Sequence, residues 1–145
     1  MSTIAFFFEE IDPVRLNKKL LRESVRFIIQ HEEKYAGDIS VIFCSDQYLL
    51  KINEQYLNHD YYTDIVTFDY VENSVISGDL FISVDRVTEN SKQMNVDFQE
   101  ELHRVVFHGI LHLLGYKDKT DAEKLLMREK EEFYLREAGF KREKK

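Results

Sequence analysis

The spacing of apolar residues along the chain predicts four β-strands. Residues 3–8 (TIAFFF) and 39–44 (ISVIFC) are rich in β-branched and aromatic residues, which favour strands. Two more apolar segments flank the turn-forming pair Asn73-Ser74, an arrangement that is typical of an antiparallel hairpin. These segments are TDIVTFDYV (63–71) and VISGDLFIS (75–83).

Apolar residues at helical spacing predict five helices between and after these strands. Their ends are marked by capping residues, by proline at a first helical position and by glycine after a last turn. The resulting order, βαβαββααα, predicts an α+β fold in which a mixed sheet of about four strands is covered by helices. The predicted helices run from Asp12-Pro13 to about Lys34, from Ser45 or Asp46 to Leu57, from Val84 to Met94, from Asp97 with Glu100 to Leu114, and from Thr120 with Glu123 to near Gly139.

Length and composition predict one domain that spans residues 1–145. The chain is 43% hydrophobic, which is enough for a core. No stretch reaches the roughly 18 apolar residues of a membrane helix, and no basic leader precedes the N-terminal phenylalanines. The lone Cys44 cannot form an internal disulfide. A cytoplasmic protein without a membrane partner is therefore expected.

The net charge of -7 predicts that the chain repels nucleic acid on average. The charge is unevenly distributed, because residues 103–145 contain 11 Lys and Arg against 8 Asp and Glu, whereas the first 102 residues contain 9 against 19. The C-terminal part, which holds the candidate site described next, is therefore mildly basic.

The segment HGILHLLGYKD (108–118) has the spacing of a metal site. His108 and His112 are four residues apart, so they share one face of a helix. Gly115 is suited to end that helix in a left-handed conformation, after which Asp118 can return as a third ligand. Two imidazoles and one carboxylate suit zinc in the open arrangement that leaves a position for water.

Two other interpretations of this segment remain open. A pair of histidines at helical spacing also occurs by chance in packed helices, although the added glycine and carboxylate favour a metal site. The spacing is also that of zinc peptidases, but Gly109 stands where those enzymes carry their catalytic Glu. Zinc lowers the pKa of its bound water without such a base, so cleavage of phosphodiesters fits the residues better than cleavage of peptides.

The same segment resembles the H-G-x-L-H-L-x-G-Y-D-H signature of the YbeY family, bacterial endoribonucleases that act on single-stranded RNA. The resemblance continues in Leu57-Asn58, in TDIVTF (63–68), in Gly78-Asp79 and in Glu101, and it covers about residues 45–120. It implies an α+β fold, one zinc ion, a role in maturing the 3′ end of small-subunit rRNA and in ribosome quality control, and binding to the small ribosomal subunit, with no DNA substrate.

Two positions depart from the family pattern. Asp118 stands where the family has a third histidine, and a carboxylate is an acceptable zinc ligand that can shift the metal preference. The loop 59–62 (HDYY) lacks the basic residue that the family usually has there. His59, or a basic residue from elsewhere, is the candidate substitute.

The sequence interpretation is therefore a zinc-dependent endoribonuclease with His108, His112 and Asp118 as metal ligands. The general base is unassigned, with Asp64 and Glu101 as candidates. The alternatives are a non-catalytic ribosome-assembly factor with a structural metal and a zinc hydrolase of another substrate class. Candidate substrate-binding residues are Thr63, Tyr116, Lys117 and Lys119, while surface or capping positions are expected for His31, His59 and His103.

Overall fold

The computed structural model describes residues 2–57 and 63–140, and its elements follow one another in the predicted order βαβαββααα. The predicted α+β class is therefore confirmed. The elements are β1 (Ile4–Glu9), α1 (Lys18–His31), β2 (Tyr35–Cys44), α2 (Asp46–Leu57), β3 (Ile65–Asp69), β4 (Val75–Ser83), α3 (Val84–Met94), α4 (Phe98–Leu113) and α5 (Asp121–Glu137).

The four strands form one mixed sheet in the order β1-β2-β4-β3, which differs from their order along the chain. β2 is parallel to both β1 and β4, whereas β3 is antiparallel to β4, as the hairpin prediction required. Among the described residues, β3 is therefore an edge strand of the sheet.

Helix α4 is the central helix, and it packs against β3, β4, α1, α3 and α5. Eleven of its sixteen residues are buried. Gly109 faces the sheet, and a Cβ atom there would lie 2.7 Å from Ile65 Cδ1 and 3.0 Å from both Leu80 Cδ atoms. The absence of a side chain at Gly109 therefore lets α4 approach β3 and β4 closely.

Helix α2 covers the opposite face of the sheet. Its Leu49 belongs to a small second core with Cys44 and Val66, whose side chains point away from the α4 side. This alternation follows from the period of two along each strand. The two faces of the sheet are therefore both covered; the three predicted ligands lie on the α4 side, and the cleft beside them also reaches Asn53 of α2.

Several predicted element ends are wrong. Helix α1 begins at Lys18 rather than at Asp12-Pro13, because the Asn17 side chain accepts a hydrogen bond from the Leu20 N–H and caps the helix there. It ends at His31 instead of near Lys34, since Glu33 has a positive φ of 63° that an α-helix does not accommodate.

The strands differ in a similar way. β2 begins at Tyr35, four residues before its predicted start, because Tyr35 and Ala36 pair with β4 ahead of a register shift. β3 covers only Ile65–Asp69 of the predicted segment 63–71.

The two predicted capping devices have different outcomes. Asp97 is the N-cap of α4, but its side chain makes no capping hydrogen bond. Thr120 and Glu123 form the complete capping box at the start of α5, as predicted. Local sequence therefore located both helix starts but did not determine the hydrogen bonds at each.

The prediction of a surface or capping position is wrong for His103. Its side chain is only 1% exposed, its Nδ1 is 2.7 Å from the Gln99 carbonyl oxygen, and its ring contacts Phe107 and Phe140. Burial lowers the pKa of His103 below its usual value. His31 is on the surface as expected, and His59 lies outside the described residues.

Candidate metal centre

The end of α4 and the turn after it bring the three predicted ligands together. Gly115 has φ of 103°, and its N–H donates to the His112 carbonyl while the Tyr116 N–H donates to the Leu111 carbonyl. These two bonds form a Schellman motif, which reverses the chain after the last helical turn. Asp118 is thereby returned to the face of α4 that carries the two histidines.

The ligand atoms are spaced as the corners of one face of a tetrahedron. His108 Nε2 and His112 Nε2 are 2.9 Å apart, and Asp118 Oδ2 lies 3.2 Å from the first and 3.3 Å from the second. Tetrahedral zinc with bonds of about 2.0–2.2 Å requires ligand separations of roughly 3.3 Å. The three side chains can therefore bind one small divalent cation.

The other nitrogen of each imidazole has an acceptor that fixes its orientation. His108 Nδ1 is 2.6 Å from Glu131 Oε2, and His112 Nδ1 is 2.9 Å from the Tyr116 carbonyl oxygen. A carboxylate and a carbonyl only accept, so both Nδ1 atoms carry the proton and both Nε2 atoms present lone pairs. Two lone pairs and a carboxylate oxygen directed at one point repel one another unless a cation lies between them.

The electrostatic surroundings of His108 favour positive charge. Burial alone would lower its pKa, but the hydrogen bond and charge of Glu131, together with the carboxylates of Asp64 and Asp118, raise it. The site is therefore one in which a proton or a metal ion is stabilised.

Arg104 connects the surrounding carboxylates, and sequence reasoning missed it. Its guanidinium binds both Glu101 oxygens at 2.8 and 2.7 Å and Glu131 Oε1 at 3.1 Å, and it lies 3.7 Å from Asp64 Oδ2. It orients Glu131, which in turn orients His108. The available signal was spacing, since Arg104 precedes His108 by four residues on the same helix face.

The two candidate bases are in different environments. Glu101 is fully buried and paired with Arg104. The Asp64 side chain is 30% exposed and lines the cleft beside the metal ligands. Burial raises the pKa of Asp64, with the charges of Arg104 and His108 opposing the rise.

The cleft next to the three ligands has a volume of about 660 Å³ and follows β3. Of the predicted substrate-binding residues, Thr63 and Lys119 line it. Tyr116 does not line the cleft, because its hydroxyl donates a hydrogen bond to Glu32 and Lys130 lies over its ring. Lys117 is exposed and does not line the cleft either. The loop 59–62 lies outside the described residues. The cleft is lined by Asn53, Thr63, Asp64, Ile65, Val66, Thr67, Asp69, His108, His112, Asp118 and Lys119.

Helices of sufficient length and apolar character to cross a bilayer are absent from the part of the chain that the structure describes.

Comparison with known proteins gives matches over most of the chain. The family described as Endoribonuclease YbeY matches residues 8–139. Curated proteins named Endoribonuclease YbeY include one from Parabacteroides distasonis, 49% identical over 88% of this chain and 90% of that protein, and one from Flavobacterium johnsoniae, 54% identical over 80% and 84%. The solution structure of TM1509 from Thermotoga maritima is similar with a TM-score of 0.67 and 31% identity, covering 94% of this chain and 89% of that one.

Proposed function

Because the chain belongs to the YbeY endoribonuclease family, we propose that it is a zinc-dependent endoribonuclease that cleaves single-stranded RNA. We propose small-subunit rRNA, near its 3′ end, as the substrate, with a role in ribosome quality control. A cytoplasmic location goes with that substrate. The observation that carries the proposal is the convergence of two oriented imidazoles and a carboxylate at the side of an open cleft.

His108, His112 and Asp118 would hold the metal ion, and their nitrogen and oxygen donors suit zinc. A zinc ion supplies Lewis acidity, which lowers the pKa of water and stabilises charge on phosphoryl oxygens. Glu131 and the Tyr116 carbonyl keep the two imidazoles in the tautomer that binding requires.

Asp64 is the better candidate for the residue that accepts a proton from the attacking group. It lines the cleft with the metal ligands, and the upward shift of its pKa increases its ability to take up a proton. Glu101 is better suited to positioning Arg104, since its carboxylate is fully buried and bound at both oxygens. Lys119 and Thr63 are suited to contact a phosphate in the cleft.

The two alternatives are less well supported. A purely structural metal would not need an open cleft lined by additional acidic and basic side chains. A peptidase would need a base at position 109, but that position faces Ile65 and Leu80. Both features favour RNA cleavage in the cleft.

The test combines metal analysis with cleavage of an unstructured, end-labelled RNA and of the same sequence in a duplex. His112→Ala and Asp118→Ala should lower zinc content and cleavage together, whereas Asp121→Ala, an exposed carboxylate three residues further along, should change neither. Wild-type protein that binds zinc but cleaves no RNA would favour the assembly factor. Full cleavage by metal-free His112→Ala would refute a metal-dependent reaction.

A further inference from the structure

A cluster of polar side chains lies outside the cleft, and one of its residues contacts His112 through its carbonyl oxygen. It consists of Glu32, Tyr116, Lys130 and Tyr134, which we term the Glu32 cluster. Glu32 Oε1 accepts a hydrogen bond of 2.5 Å from the Tyr116 hydroxyl, and its Oε2 accepts from Lys130 Nζ at 3.1 Å and from the Tyr134 hydroxyl. Lys130 Nζ also lies 5.3 Å from the centre of the Tyr116 ring. The cluster therefore connects the end of α1, the turn after α4, and α5.

The carboxylate of Glu32 is kept charged by these contacts. Burial alone would raise its pKa, but the hydrogen bonds from Tyr116, Tyr134 and Lys130 outweigh burial and lower the pKa below the usual value. Hydrogen bonds to a charged acceptor are stronger than those between neutral groups. The Tyr116 side chain is thus held firmly by a residue that is 84 positions away in the chain.

Tyr116 is also the residue that orients His112. Its carbonyl accepts the His112 Nδ1–H at 2.9 Å, and its N–H donates to the Leu111 carbonyl. Asp118 follows two residues later. Any rotation of the Tyr116 peptide would therefore move the acceptor of one metal ligand and the chain that carries another.

We propose that Glu32 is a positioning residue for the metal centre, acting through the Tyr116 side chain and carbonyl to fix the imidazole of His112. This inference rests on the proposed metal-binding function and extends it to a residue that lies outside the cleft. Helix α5 then supports both histidine ligands, since Glu131 binds His108 directly while Lys130 and Tyr134 act on His112 through Glu32.

The expected loss of zinc affinity depends on how many residues separate Glu32 from the metal. Removing a direct partner of a ligating histidine typically weakens metal binding about 10- to 100-fold. Glu32 is one residue further away, and the Schellman hydrogen bonds of Gly115 and Tyr116 remain without it. We therefore expect Glu32→Ala to weaken zinc binding about 3- to 10-fold, below the range for a direct partner.

The experiment measures zinc affinity by competition with a chromophoric chelator in wild type, Glu32→Ala, Glu32→Gln and Tyr116→Phe. Glu32→Gln keeps an acceptor for the Tyr116 hydroxyl and should retain more affinity than Glu32→Ala. Tyr116→Phe should match Glu32→Ala, and the double variant should be no worse than either, because both changes break the same link. Glu23→Ala, which removes an exposed carboxylate from the same helix, is the matched control.

A second readout separates positioning from loss of stability. The visible absorption of the cobalt(II)-substituted protein reports ligand geometry, and it should change in Glu32→Ala and Tyr116→Phe but not in Glu23→Ala. Thermal unfolding of the metal-free proteins is measured alongside. Unchanged zinc affinity and cobalt spectra in Glu32→Ala and Tyr116→Phe, with only a lower Tm, would overturn the inference.

The milder variants keep the test decisive if Glu32→Ala does not fold, since Tyr116→Phe and Glu32→Gln preserve most of the packing. His112→Ala tests the proposed metal site separately from the positioning role of Glu32. If His112→Ala retains full zinc affinity, the proposed metal site is wrong. If His112→Ala loses zinc while the Glu32 and Tyr116 variants do not, only the positioning role is wrong.

Discussion

Replacing Glu131 by alanine should weaken zinc binding without removing any metal ligand. The Glu131 side chain is 7% exposed, and it is the acceptor for the His108 Nδ1–H at 2.6 Å. Loss of that acceptor leaves a largely buried donor unpaired, which costs about 1–3 kcal/mol. It also removes the contact that fixes the His108 tautomer, and losses of this type lower metal affinity about 10- to 100-fold, or about 1.4–2.8 kcal/mol.

The effect of Glu131→Ala on the free energy of unfolding depends on a second contact of Glu131, with Arg104. Its Oε1 binds Arg104 Nη1 at 3.1 Å, but Arg104 keeps its two bonds to Glu101. Breaking a buried ion pair costs about 3–5 kcal/mol when a charge is left without compensation. Since Arg104 remains compensated, we expect the loss in the free energy of unfolding to lie at or below about 3 kcal/mol.

The assay is chelator competition with all variants at the same pH of about 8, above the ordinary histidine pKa near 6.5, because the neighbouring carboxylates raise the pKa of His108 and so increase proton competition with the metal at lower pH. Glu131→Gln keeps an acceptor oxygen and should lie between wild type and Glu131→Ala. Glu129→Gln makes the same charge change at an exposed position of α5 and should match wild type. Equal zinc affinity in Glu131→Ala and wild type would refute the argument that this carboxylate orients His108.

Three further outcomes are expected. Asp118→His should retain zinc, whereas Asp118→Ala should weaken its binding, and equal affinity of both with wild type would show that residue 118 is not a ligand. Gly109→Ala should lower the free energy of unfolding by up to about 2 kcal/mol, because overpacking against Ile65 and Leu80 costs about 1–3 kcal/mol while helix propensity returns about 1; a higher Tm would contradict that packing. The pKa of His103 is lowered in the folded state, so as the pH falls below about 6.5 the unfolded chain binds a proton at this residue before the folded protein does. The free energy of unfolding should therefore decrease there by up to about 1.4 kcal/mol per pH unit more in wild type than in His103→Leu. Urea unfolding at several pH values measures this, and parallel profiles of the two proteins would exclude the contribution of His103.

The candidate metal site was predictable because its main parts are local in sequence. His108 and His112 share a helix face through their spacing alone, and Gly115 reverses the chain within one turn, so eleven consecutive residues contain all three candidate ligands. The same locality explains why the order of strands and helices was predicted correctly. Helix and strand periods, and a turn such as Asn73-Ser74, are properties of neighbouring residues.

The helix starts show where local information becomes insufficient. Asp12-Pro13 has the composition of a helix start, but the helix begins at Lys18, where Asn17 provides the cap. Thr120 forms its capping box as predicted, while Asp97 makes no capping bond with its side chain. Several residues in a segment can act as a cap, and packing of the helix against the rest of the protein selects among them.

The sequence by itself determined the class of fold, the order of elements and the three residues that form the candidate metal site. Only the tertiary structure decided which strand lies at the sheet edge and that His103 of α4 is buried. It also decided which residues hydrogen-bond to the side chains of the candidate ligands. Glu131 is 23 residues from His108, and Glu32 is 84 from Tyr116. Those contacts depend on how α1 and α5 pack around α4. The burial of apolar surface that stabilises this packing is non-directional. It therefore leaves no spacing pattern in the sequence from which the particular partners could be identified.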